Sequence, residues 1–96
     1  MGTNDVNKGK VNELILPDGI FTIGRSADNS LVIDDKTISS HHVKITTFFK
    51  SAYIEDMGST NGITVNDKKL SKCILHKGDH FRLSYYHFVI TGFESE

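Results

Sequence analysis

From Glu13 onward, apolar residues recur at every second position in short runs. Phe21 and Ile23 fall on one face, as do Leu31 and Ile33, Val43 and Ile45, Ala52 and Ile54, Ile63 and Val65, Phe81 and Leu83, and finally Tyr86, Phe88 and Ile90. Successive strand side chains point to opposite sides, so a period of two buries one face and leaves the other wet. No run keeps the period of an amphipathic helix. Turn-forming residues separate the runs: Pro17-Asp18-Gly19, Asp28-Asn29-Ser30, Asp34-Asp35-Lys36, Gly58 to Gly62, Asn66-Asp67 and Lys77-Gly78-Asp79. The single proline sits in one of these turns, so it interrupts no strand ladder. Short strands joined by frequent turns predict an all-β sandwich or barrel with one shared interior.

A chain of 96 residues has room for one such core, and its 38% apolar content supports a modest one. Residues 1–12 lack the alternation and read as a flexible tail, leaving 13–94 as the folded domain. No stretch approaches a membrane span, and the N-terminus has neither a basic segment nor an apolar signal core. Val6 stands where a myristoylation signal on Gly2 would need Ser or Thr. Eleven Lys and Arg against 12 Asp and Glu give a net charge of -1, too little for a general attraction to nucleic acid. Lys68, Lys69, Lys72 and Lys77 are interrupted by Asp67 and Asp79, so they are expected not to form a nucleic-acid patch. Cys73 has no cysteine partner in the chain, which excludes an internal disulfide framework and points to a reducing, cytoplasmic setting. A monomer is expected, with no membrane insertion.

Rigid β-sandwiches carry their chemistry in polar loops, and three stand out. They are Gly24-Arg25-Ser26, Thr37-Ile38-Ser39-Ser40-His41-His42, and Asp56-Met57-Gly58-Ser59-Thr60-Asn61-Gly62. Each alone has a plain explanation: a solvated arginine at a strand end, a hydroxyl-rich turn, and a type I′ hairpin at Asn61-Gly62. In order and spacing, however, Gly24-Arg25, Ser39-x-x-His42, Ser59-Thr60-Asn61-Gly62 and Val65-Asn66 resemble the signature of the forkhead-associated (FHA) domain. The similarity runs from Leu14 to Phe93.

The resemblance implies a β-sandwich of two twisted, mainly antiparallel sheets, about eleven strands in all, with recognition loops at one end. It also implies phosphothreonine-peptide binding, a recognition mode in which FHA domains are established readers. Arg25 and Ser39 would contact the phosphate, Ser40 would lie beside them, Thr60 would close the other side and Asn61 would hold the peptide backbone. Gly24 and Gly62 would serve backbone geometry, His42 would brace the Ser39 segment, and Asn66 would tie down its own loop. Thr37 stands where some relatives select the side chain three positions after the phosphothreonine, and a threonine there implies no strong demand for an acidic residue. Ser40 replaces the longer polar or basic residue of many relatives, which implies a less positive pocket.

These residue types suit the ligand independently of the resemblance. A phosphothreonine brings about -1.5 to -2 charges and three acceptor oxygens, so its reader needs a fixed cation and neutral donors. A guanidinium stays charged and grips two oxygens at once. An enzyme is not expected, since GxxxxGK[ST], HExxH, GxSxG and CxxC are all absent from the sequence. His41 and His42 are adjacent, and neighbouring strand residues face opposite ways, so no metal is expected there, nor any cofactor. The expected partner is a phosphothreonine protein, the substrate of a Ser/Thr kinase. The competing expectation is an FHA fold that docks in an assembly without phosphate.

Overall fold

The computed structural model describes residues 6–94, which form ten strands and no helix. In chain order these are β1 (Val11–Leu16), β2 (Gly19–Gly24), β3 (Leu31–Val32), β4 (Val43–Phe48), β5 (Ser51–Asp56), β6 (Ile63–Val65), β7 (Lys68–Leu70), β8 (Lys72–Leu75), β9 (His80–Leu83) and β10 (Tyr86–Phe93). They assemble as two five-stranded sheets, ordered β1-β10-β9-β6-β7 and β3-β2-β4-β5-β8. Six pairings are antiparallel, while β1 with β10 and β2 with β3 run parallel.

The alternation predicted from sequence is the one that packs. Ile23, Val43, Ile45, Ala52 and Ile54 meet Ile63, Val65, Phe81, Leu83, Phe88 and Ile90 across the sandwich, all nearly inaccessible to water. Phe81 and Phe88 stack at 5.0 Å between centroids. Burial of each such side chain contributes roughly 1.5–3 kcal/mol before chain entropy is subtracted. Leu16 and Leu75 complete the core from strands whose short apolar stretches show no clear alternation, and Phe93 from the end of β10, beyond a register shift that breaks its two-residue period.

The predicted boundary needs correction. β1 begins at Val11, so Val11 and Asn12 belong to the sheet rather than to a tail. Asn12 Nδ2 donates to His87 O at 3.1 Å and Gly9 N donates to Tyr85 O at 3.0 Å, while Val6 packs against the core. A turn at residues 8–10, with Gly9 at a φ of 78°, leads into this edge strand, whose apolar pattern is weak because Val11 and Ile15 are exposed. The part of the predicted tail at residues 1–5 lies outside the described residues. Among the described residues the strands number ten, against about eleven implied by resemblance.

The type I′ turn also falls elsewhere. Asn66 and Asp67 have φ of 47° and 70° and close the β6–β7 hairpin, as two left-handed residues in a two-residue loop require. Asn61-Gly62 instead lies in the connection between β5 and β6, which belong to different sheets. That crossing brings its loop to the same end of the sandwich as the β2–β3 and β3–β4 loops.

Candidate functional site

Gly24 ends β2 where two chain segments meet. A Cβ there would lie 2.7 Å from Asn29 Nδ2 and 2.9 Å from the carbonyl carbon of Ser40, so only glycine fits. The close approach lets Arg25 N donate to Ser39 O at 2.9 Å and Ser26 N to Ser40 O at 3.1 Å, zipping the β2–β3 loop to the β3–β4 loop. Asn29 completes the seam: its buried amide donates to Ser26 O and to Ser40 O, both at 2.8 Å. The sequence shows Asn29 only as one more turn residue, and its role depends on a contact eleven positions away.

Arg25 is exposed but not loose. Its Nε donates to Ile38 O at 3.0 Å, and Ile38 is wholly buried, so the guanidinium is anchored to a fixed carbonyl. Among the described residues it forms no ion pair, which leaves the four terminal N–H groups available to a ligand.

Ser39 is held from two sides. Its N–H donates to His42 Nδ1 at 3.2 Å, and its Oγ accepts the N–H of Thr60 at 3.0 Å. The second bond occupies a lone pair and leaves the hydroxyl proton free to donate outward. His42 is completely buried, and because Nδ1 accepts from a backbone N–H, the ring proton sits on Nε2 and is donated to Gly62 O at 2.9 Å. One imidazole thus bridges the loops bearing Ser39 and Thr60, and Met57 N donating to His42 O at 2.9 Å adds a third tie. His41 points to solvent, with Nε2 3.0 Å from Asp28, so the two histidine rings diverge. Ser40 is exposed next to Ser39, and its carbonyl is committed to Ser26 and Asn29.

The β5–β6 loop is shaped by its own side chains. Asp56 Oδ1 accepts the N–H and the hydroxyl of Ser59 at 3.0 and 2.5 Å, and Ser59 Oγ accepts Gly62 N–H at 2.9 Å. Gly62 takes a φ of 74°. Thr60 and Asn61 project from this loop and are exposed. Asn61 Nδ2 donates to Thr37 O at 2.8 Å, which leaves one N–H and the amide oxygen uncommitted.

Beneath the β3–β4 loop, Asp35 acts as a clamp. Its Oδ1 accepts the Thr37 amide at 2.9 Å and the Thr37 hydroxyl at 2.7 Å, and its Oδ2 accepts the Tyr86 hydroxyl at 2.8 Å. The Thr37 amide, the Thr37 hydroxyl and the Tyr86 hydroxyl together hold its carboxyl far below the usual carboxylate range. Burial and the Asp35 carboxylate push the Tyr86 hydroxyl up to about 12. Asn66 stands apart from this end, in the β6–β7 turn: its Oδ1 accepts His80 N–H at 3.0 Å and its Nδ2 lies 3.3 Å from Asp79. Arg25, Ser39, Ser40, Thr60 and Asn61 therefore share one surface, braced by Gly24, His42 and Gly62, while Asn66 secures a different loop.

Residues 21–91 match the family model described as FHA domain. The transcriptional regulatory protein EmbR of Mycobacterium tuberculosis is 34% identical over 67 residues, covering 69% of this chain and 17% of EmbR. The glycogen accumulation regulator GarA of the same organism is 29% identical over 79 residues, 81% of this chain and 49% of GarA. The chain thus spans less than half of either protein. Among solved structures, the FHA domain of M. tuberculosis FhaA in complex with the intracellular domain of Rv3910 superposes with a TM-score of 0.71 at 32% identity, covering 77% of this chain and 81% of that one. M. tuberculosis EmbR in complex with a low-affinity phosphopeptide gives 0.70 at 33% identity, covering 74% of this chain and 19% of that one. The match spans most of the chain, includes every element that shapes the surface described above, and shows that this chain belongs to the FHA domain family.

Proposed function

We propose that this domain binds a phosphothreonine peptide of a partner protein, with Arg25, Ser39, Ser40, Thr60 and Asn61 as the contacting residues. The observation that carries the reading is the convergence of an unpaired, pre-oriented guanidinium with an outward-donating hydroxyl on loops locked by His42. A dianionic ester replaces its hydration shell with charge-assisted bonds from Arg25 and Ser39. Thr60 closes the opposite side. The free N–H and oxygen of Asn61 fix the direction of the peptide backbone.

The folded unit, from Val11 to Glu94, acts as an interaction module without catalysis, as a cytoplasmic monomer, and its partner is a Ser/Thr kinase substrate rather than a nucleic acid. Proteins of the same family solved with a phosphopeptide or a partner domain support this reading over phosphate-independent docking. The hydroxyl of Thr37 is spent on Asp35, which supports a weak demand at the third position after the phosphothreonine.

Calorimetry with one peptide in three forms tests the proposal. The phosphothreonine form should bind, the phosphoserine form should bind more weakly by at least the roughly fourfold that one buried methyl is worth, and the unphosphorylated form should not bind. Equal binding of all three would overturn it.

A further inference from the structure

The outer face of the sheet β1-β10-β9-β6-β7 carries a polar row that phosphothreonine recognition leaves unused. Burial of Ile63 and Val65 turns Thr64 outward; Phe81 and Leu83 do the same for Arg82, and Tyr86 and Phe88 for His87. Pairing sets Lys69 opposite Thr64, Thr64 opposite Arg82, and Arg82 opposite His87. His80 follows on the same face as Arg82, and its Nδ1 lies 2.8 Å from His87 Nε2.

One end of the row touches the candidate site. A Cβ on Gly62 would lie 3.0 Å from Lys69 Cε and 3.7 Å from its Nζ, so the ammonium rests over the backbone next to Asn61. The other end is a concavity lined by Asn66, Asp67, His80, Arg82 and His87. Among the described residues neither Lys69 nor Arg82 forms an ion pair. Burial first, then Arg82 and His80, lower the proton affinity of His87, and Asp67 only partly opposes them. Groups that carry or accept positive charge are thus crowded together in a concavity whose lining holds one carboxylate, Asp67. An arriving anion relieves that crowding.

We propose that this row is a second anion subsite, taking a carboxylate or a second phosphate of the same phosphoprotein about four residues of extended chain from its phosphothreonine. The row runs three strand separations of about 4.8 Å each from Lys69, which borders the phosphothreonine loops at Gly62, to His87, so the four residues are the reach counted from Lys69. The inference rests on the phosphothreonine reading and adds to it the chemical character of the flanking sequence.

The test uses degenerate phosphothreonine peptide pools with alanine, glutamate or a second phosphothreonine fixed four positions before or after the first. Affinities are measured for the wild-type domain and for the Lys69→Ala/Arg82→Ala variant, whose exposed positions leave the fold intact by circular dichroism. One of the two placements should bind the wild type about three- to tenfold tighter with either anion than with alanine. The double variant should lose that gain and keep its affinity for the alanine pool. A gain with the second phosphate and none with glutamate assigns the subsite to a phosphate; equal gains assign it to any anion.

For the glutamate pool the gain over alanine should rise only as pH falls below 6.5, since burial and then Arg82 hold down the proton affinity of His87 in the His80–His87 pair. Facing that pair are Arg82 from β9, Asp67 from the β6–β7 turn, and Glu13 on β1, whose register partner Val89 lies on the same face. An anion gain that survives in the double variant, or no gain at either placement while the alanine pool still binds, overturns the subsite alone. Failure of every phosphorylated pool to bind the wild type overturns the phosphothreonine reading and the subsite with it.

Discussion

Gly24 and His42 shape the proposed recognition surface through contacts within the fold. A methyl at residue 24 collides with backbone and a buried amide, neither of which can move without opening the seam between two loops. Gly24→Ala should therefore cost about 1–3 kcal/mol in chemical denaturation and weaken phosphopeptide binding as well. An unchanged midpoint would show that the seam yields freely. His42→Ala removes a buried ring and orphans Ser39 N–H and Gly62 O, with an expected loss of about 2–4 kcal/mol. Arg25, Ser39 and His42 were legible in the sequence because their spacing resembles a known signature. Asn29 was not, since its partners lie across a loop and no local pattern encodes a long-range amide contact.

Among the elements, the β3–β4 connection shows how a loop becomes rigid. Ile38 plugs the core while Asp35 ties Thr37 to Tyr86 of β10. Because the folded state lowers the Asp35 pKa below its ordinary 3.8, the unfolded chain binds the proton more readily. The clamp's contribution is therefore complete at neutral pH and fades as pH falls below the ordinary carboxylate range. Asp35→Asn should cost about 1–2 kcal/mol at pH 7, and the gap to wild type should narrow by pH 3. A gap of constant size would refute the ionised clamp.

The β4–β5 hairpin is the opposite case. Phe49 adopts a φ of 60° at an exposed tip, where a side chain costs about 1–2 kcal/mol. Phe49→Gly should leave stability unchanged or raise it slightly, the relief being offset by the entropy glycine adds to the unfolded chain. A drop above about 1 kcal/mol would show that the Phe48–Phe49 ring contact matters. The two-residue period located these central strands well. It missed the start of β1 and the edge strands β7 and β8, because edge strands bury little and so impose little pattern on their residues.

For the whole molecule, a net charge of -1 means that the proposed phosphate recognition relies on a local arrangement and not on a general field. The molecule presents two very different surfaces: the polar loops at one end, and an apolar strip across the outer face of the second sheet. In that strip Ile20, Thr46, Tyr53 and Ile74 lie in register, with Phe48 and Phe49 beyond them. A phosphate-dependent reader uses the first surface, and a phosphate-independent docking module would use the second. A nitrogen-15 NMR titration with a phosphothreonine peptide and its unphosphorylated twin separates them most directly. For a peptide with no second anion beside the phosphothreonine, amide shifts confined to residues 24–26, 37–42 and 59–62, and seen only with the phosphorylated form, are expected. Shifts centred on residues 46–53 and 74, or equal shifts with both peptides, would contradict the account.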